Sequence, residues 1–313
     1  MKIYDCFPFN NELDVLEVRL NELYPVIDRF VLVEASRTHA GQPKPMHFQE
    51  HRARFAPFSD KLAYVPVDDM PDGGDAWVRE NFQRNCIARG LTDLRDEDLV
   101  LVSDADEIPR HEVVAALRQY SHDLFGQRLP MFYYRFNYFN HAGTEPHQVW
   151  SIGVRGRKFH SGQSARELAY NMAGVKNWLQ VKRRKGRIIP EAGWHFSWLG
   201  DESHVIYKHQ SYAHQEQYDP ALMARLNIER LIAAGSDHLD AGRAWTIVEI
   251  DDYFPRHLVE NYARFSRLIA PGATHNMSDF RLRLAWEANP LSRFGRVQGR
   301  KIRELMASWK GKV

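Results

Sequence analysis

The chain has 313 residues, of which 44% are hydrophobic and 26% charged, with a formal net charge of +2. That composition excludes an intrinsically disordered chain, and the near-neutral balance supplies no basic field for nucleic acid. The two cysteines, Cys6 and Cys86, are too few for a disulfide framework and read as buried free thiols in a reducing compartment.

The start, MKIYDCFPFNNELD, lacks the apolar stretch of a signal peptide, and no window reaches ~18 uninterrupted apolar residues. The expectation is a protein made and kept in the cytoplasm. KIYDCFPF (2–9) reads as a strand. Leu13, Leu16, Leu20 and Leu23 then form a helical stripe, with Asn11 as its N-cap and Pro25 beyond its end. RFVLVEA (29–35) is continuously apolar, as a strand covered on both faces should be, and KLAYVPVDD (61–69) reads as a third strand. WVRENFQRNCIARGL (77–91) predicts a helix ended by Gly90. DLVLVSDADE (98–107) predicts a fourth strand, stopped by Pro109 and followed by a helix over 111–120.

Strand and helix alternating in this way predict an α/β fold with a mostly parallel sheet and helices on both faces. After residue 120 the pattern changes. MFYYRFNYFN (131–140) and WSIGVRGRKF (150–159) are β-like runs, and AGWHFSWLGDESH (192–204) reads as a loop rich in Trp and His. VKRRKGRIIP (181–190) is a basic run, read as a solvated hairpin or a contact for an anionic acceptor. Beyond Ala221 a mainly helical region is expected, ending in a basic segment over 293–313.

The densest chemical signal is SDADE. Asp104, Asp106 and Glu107 crowd together at the carboxyl end of a buried strand, where open α/β sheets bind their ligands. On spacing alone the cluster could be an acidic turn capping the next helix. A hard divalent cation, Mg²⁺ or Mn²⁺, would relieve its repulsion and prefers such oxygen ligands together with phosphate. Neither G-x-G-x-x-G after the first strand nor G-x-x-x-x-G-K-[ST] occurs, so a bound diphosphate would depend on a metal and basic side chains. That combination suits a nucleotide-sugar.

Four segments in order resemble glycosyltransferase family 17: DCFPFNNELDVLEVRLNELYPVIDRFVLVEASRTHAGQPKP, SDADEIPR (103–110), GWHFSW (193–198) and PRHLVENYARFSRLI (255–269). The resemblance implies a GT-A fold, a Rossmann-like sheet flanked by helices. Residues 1–120 would be its nucleotide-sugar-binding half, 121–290 the acceptor-binding half of the same domain, and 291–313 a basic C-terminal helix. It implies inverting transfer from a UDP-sugar, usually UDP-GlcNAc, with Mn²⁺ or Mg²⁺. Asp104 and Asp106 carry over as the Asp-x-Asp metal pair, and Glu34, Thr38, His39 and Lys44 fall in the loop that holds the nucleoside. The animal members are membrane-anchored. A surface-polysaccharide or lipopolysaccharide acceptor therefore suits this chain better than an N-glycan.

Within that frame Asp106 is the expected direct metal ligand, and Asp104 is expected to contact the donor ribose or a metal-bound water. Glu107 is a catalytic candidate, or else it supports the pair or caps the next helix. His195 is expected as a third metal ligand or a diphosphate contact, with a packed core histidine as the alternative. Trp194 and Trp198 could stack on sugar or fill the core. Arg79 and Arg84 are expected on the nucleotide or diphosphate, the alternative being a surface salt bridge. Asp201 and Glu202 are the candidate bases, with Glu191 and Glu216 open. The basic C-terminus is a candidate contact for an anionic membrane surface. Three rivals remain open: a metal-dependent phosphohydrolase, a glycoside hydrolase and a non-catalytic carbohydrate-binding protein.

Overall fold

The computed structural model describes residues 1–140, 149–172, 186–223, 225–239 and 245–280. The basic positions 182–185 and the segment 291–313 lie outside the described residues. Four strands form the parallel half of a large sheet: β1 (Ile3–Phe9), β2 (Arg29–Ala35), β3 (Leu62–Val67) and β4 (Leu99–Val102). Their apolar runs are continuous because both faces are covered. On one face pack α1 (Leu13–Leu23), α2 (His47–Glu50) and α4 (His111–Leu117). On the other lie α5 (Gly162–Met172) and the single turn that follows α3 (Ala76–Asn85).

Leu16, Leu20 and Leu23 are fully buried, each contributing about 1.5–3 kcal/mol of transfer free energy. Asn11 does not cap α1. The N-cap position is Glu12, and its carboxylate accepts instead from the amides of Asn10 and Asn11. The predicted helix over 77–91 divides. Asp75 caps its start through the Trp77 amide, the α-helix stops at Asn85, and a 3-10 turn runs to Gly90. Gly90 is required there by close approach to β2. A Cβ would sit 2.4 Å from Val31 Cγ1.

The large sheet has the order β10-β6-β9-β4-β1-β2-β3. β9 (Val149–Arg155) lies antiparallel between β4 and β6 (Leu124–Arg128), and β10 (Gly186–Ile189) is the edge. Both halves of the chain thus build one mostly parallel, helix-flanked sheet, as the GT-A expectation requires. β6 was not expected from the sequence.

A second sheet has the order β12-β8-β7-β11-β5. Its strands are β5 (Glu107–Pro109), β7 (Met131–Tyr133), β8 (Tyr138–Phe139), β11 (Gly193–Ser197) and β12 (Thr246–Ile247). The strand expected over 98–107 therefore breaks: β4 ends at Val102, and Glu107 opens a strand of the other sheet. The GWHFSW segment, expected as a loop, is the fully buried β11, held antiparallel to β5 and parallel to β7. Among its described residues, the expected helical region beyond Ala221 holds short helices, such as Ile228–Ala233 and Arg256–Glu260, besides β12. No helix among the described residues is long and apolar enough to cross a membrane.

Candidate active site

The acidic cluster occupies the turn where the chain leaves one sheet for the other. Buried Arg19 of α1 fixes that turn. Its guanidinium grips the Asp5 carboxylate at 2.8 and 2.6 Å, the Ser103 hydroxyl at 2.7 Å, and the carbonyls of Asp104 and Glu107 at 2.8 and 2.9 Å. With its carbonyls so satisfied, the turn projects its carboxylates into a cleft of about 240 Å³ at the carboxyl end of the parallel strands. The walls are the end of β1, the loop after β2, α3, α5, His195 of β11, and α6 (Glu202–Ser211).

Charges in this cleft are arranged in pairs. Asp104 accepts from Arg84 at 3.1 Å and from Arg166 at 2.9 Å, one guanidinium on each oxygen. Burial acts to raise its pKa, but those two guanidinium groups prevail and hold it well below the usual carboxylate range. Arg166 also holds Glu107 with two bonds, at 2.8 and 2.7 Å. Burial, aided by Asp104 and Asp106, nevertheless pushes Glu107 up to about 7. Asp106 accepts from Lys208 of α6 at 3.1 Å, and its other oxygen lies 3.7 Å from His195 Nε2. Burial brings His195 down to about 4, so its imidazole is neutral at neutral pH.

These residues fit a hard divalent cation. Asp106 and neutral His195 offer one oxygen and one nitrogen side by side, and buried His195 Nδ1 has no hydrogen-bond partner among the described residues. Lys208 holds the other Asp106 oxygen at 3.1 Å, which leaves the oxygen beside His195 as the one open to a cation. Among the described residues, the three-donor grouping of His, Asp and Glu is Glu22, His111 and Glu112, away from the cleft. A cation held by Asp106 and His195 would complete its shell with water and substrate phosphate, as Mg²⁺ and Mn²⁺ do.

Of the residues expected from sequence, Thr38, His39, Lys44, Arg84, Asp104, Asp106, Glu107 and His195 line this one cleft. His39 Nε2 meets the Gln83 amide oxygen at 2.7 Å, so that nitrogen carries the proton. Lys44 lies 3.6 Å from Glu34.

Other expectations are corrected. Glu34 is fully buried behind the cleft, accepting from the Phe48 amide and the Tyr64 hydroxyl at 2.9 Å each. Arg79 is buried and donates to the carbonyls of His39, Gly73 and Gly74, so it ties two loops together rather than reaching a phosphate. Asp201 caps α6 through the His204 amide, and it lines a separate cavity with Glu202. Neither faces Asp106 across the cleft. Glu107 has both oxygens bonded to Arg166 and one to the Asp104 amide, so it braces the turn and is not free to accept a substrate proton. For the two tryptophans the core alternative holds: Trp194 lies beneath the Arg110 guanidinium at 4.1 Å, and Trp198 is buried against His209.

Sequence reading missed Glu12, Arg166 and Lys208, which line the cleft, and read Glu80 only as a neighbour of Arg84 on one helix face, where the two pair at 2.6 Å. Arg166 and Lys208 lie 62 and 102 positions from their partners, on helices without a recognisable motif.

A model of glycosyltransferase family 17 matches residues 1–250. The chain belongs to glycosyltransferase family 17. This family 17 chain is 26% identical over 306 residues to the human β-1,4-mannosyl-glycoprotein 4-β-N-acetylglucosaminyltransferase, covering 86% of this chain and 55% of the relative. It is 27% identical over 237 residues to the protein of that name from Rattus norvegicus, covering 66% and 42%. It spans about half the length of the curated relatives it matches. Among solved structures it is similar to glucosyl-3-phosphoglycerate synthase from Mycobacterium tuberculosis in complex with Mg²⁺ and UDP. There the identity is 13% and the TM-score 0.34, over 60% of this chain and 67% of that one, a likeness too slight to bear on the site.

Proposed function

We propose that this family 17 chain is an inverting, metal-dependent glycosyltransferase that moves GlcNAc from UDP-GlcNAc onto a carbohydrate acceptor of a surface glycan. The observation that carries this reading is the cleft at the end of β4. There Asp106 and His195 form a site for a divalent cation, with Arg84, Arg166 and Lys208 around it. The names of the relatives support the GlcNAc donor.

A bound Mg²⁺ or Mn²⁺ would supply positive charge to the diphosphate as negative charge develops on it. Asp106 and His195 would hold it. Asp104, engaged by two guanidinium groups, is better placed to meet the donor or a water than to bind the cation alone. Lys208 and Arg84 add charge-assisted donors for phosphate oxygens, fixed before the reaction begins. Thr38, His39 and Lys44 border the end of the cleft proposed for the nucleoside.

Thermal-shift measurements with UDP, GDP, CMP and TDP, each with and without Mn²⁺, test the proposal. UDP should raise the melting temperature only with metal. Asp106→Ala should keep a cooperative transition and lose that shift. A protein that responds to no nucleotide in the presence of metal is not the transferase proposed.

A further inference from the structure

A second cavity, of about 180 Å³, opens beside the first and shares Asn10, Glu12, Asp106 and Lys208 with it. Its remaining wall includes Asp14, Arg54, Trp198 and Leu199. A transferase needs such an arrangement: two compartments meeting where the donor's anomeric carbon would lie against the acceptor hydroxyl.

Inverting transfer also needs a carboxylate that faces the acceptor and keeps a lone pair available. Among the described residues, five carboxylates line the donor cleft. Four are bonded to cations: Glu80 to Arg84 at 2.6 Å, Asp104 to Arg84 and Arg166, Asp106 to Lys208, and Glu107 to Arg166. A guanidinium or ammonium on a carboxylate occupies the lone pairs that would take a proton. Glu12 differs. Its Oε2 accepts from the Asn10 and Asn11 amides at 3.2 and 3.0 Å, which fixes the side chain. Its Oε1 has no hydrogen bond or ion pair among the described residues. Glu12 lines both cavities, close enough to Lys208 for their charges to interact.

We infer that Glu12 is the general base of the transfer and that the second cavity holds the acceptor, an inference that rests on the function proposed above. Glu12 Oε1 takes the proton of the acceptor hydroxyl as its oxygen bonds to the anomeric carbon. The bond from that carbon to the donor phosphate oxygen breaks, and its electron pair leaves with the nucleoside diphosphate. The anomeric configuration inverts, and Glu12 later gives its proton to solvent. The cavity's guanidinium groups, Arg54 and Arg267, are both bonded to Asp14. Arg54 is held by Glu17 as well, so both guanidinium groups are already engaged by carboxylates, and the cavity suits a saccharide better than an anion.

The test follows UDP release from UDP-GlcNAc with Mn²⁺, alone and with N,N′-diacetylchitobiose or methyl β-mannoside. Glu12→Gln keeps an oxygen for the two backbone amides, so it should fold and retain the UDP–Mn²⁺ thermal shift. Its kcat should fall about 100-fold or more, with the donor KM within about threefold of wild type. Leu199→Trp, which fills the second cavity, should suppress saccharide-stimulated release and leave the UDP–Mn²⁺ shift unchanged. Asp201→Asn, at the separate cavity, should turn over at the wild-type rate. Retention of kcat within about tenfold in Glu12→Gln, or loss of its UDP–Mn²⁺ shift, overturns the base assignment while leaving the transferase reading intact. Wild-type protein that binds no nucleotide with metal overturns both.

Discussion

Arg166 bonds to two of the three carboxylates that the sequence places together at the end of β4. Without it, Asp104 and Glu107 would face each other across a buried turn with Arg84 as the remaining guanidinium on Asp104. Breaking a buried pair leaves an uncompensated charge, so Arg166→Ala should destabilise the fold by about 3–5 kcal/mol in urea unfolding. It should also abolish the metal-dependent UDP shift. Arg166→Lys should recover little of either property, because an ammonium cannot span two carboxylates as a guanidinium does. At this scale the sequence exposes the acids, whose crowding is local. It hides the bases, which come from distant helices. Glu12 was legible only as a neighbour of Asn11, because its availability depends on which carboxylates elsewhere have found partners.

The strands and helices of the parallel half follow from local pattern. Continuous apolar runs give β1, β2 and β4, and a leucine stripe gives α1. The reading failed where an element is defined by its neighbours. β11 carries His195 and Ser197 among aromatics and becomes a strand by pairing on both sides. The break between β4 and β5 is made by Arg19, which takes the turn's carbonyls as acceptors. Gly90 illustrates a position read correctly as special, but for a different cause. It marks close packing of the 3-10 turn on β2, where a Cβ would meet Val31. Gly90→Ala should therefore cost about 1–3 kcal/mol by chemical denaturation, whereas Ala in an uncrowded turn would be neutral or stabilising.

Across the whole molecule, the small sheet and α6 are joined by a buried chain of hydrogen bonds. The Tyr134 hydroxyl meets His238 Nδ1 at 2.6 Å, and His238 Nε2 meets His209 Nε2 at 2.7 Å. His209 Nδ1 reaches the Tyr212 hydroxyl on the cleft wall at 3.2 Å. Burial lowers His209 to about 4 and His238 to about 3. Both folded values lie below the ordinary histidine value near 6.5, so the unfolded chain takes up protons first as pH falls. The contribution of these two histidines to stability should be complete above about pH 6.5 and decline toward pH 4, by an amount of the order of 3 kcal/mol for His209. Melting temperatures across that range provide the measurement. A His238→Gln variant should show a shallower decline, and an unchanged slope would assign the acid sensitivity to other groups.

The sequence by itself determined the parallel half of the sheet, the burial of its strands and the position of SDADE at a strand's carboxyl end. Each of these depends on residues close together in the chain. Only the tertiary structure decided that the cluster lies between two sheets, that Arg166 and Lys208 compensate it, and that Glu12 keeps an oxygen free among the described residues. It also removed Glu34, Arg79, Asp201 and Glu202 from the site: the first three had formed bonds elsewhere, and Glu202 lines a separate cavity with Asp201. The physical reason is range. Apolar periodicity acts over a turn or a strand, whereas the pairing of charges is settled between elements that meet only when the chain has folded.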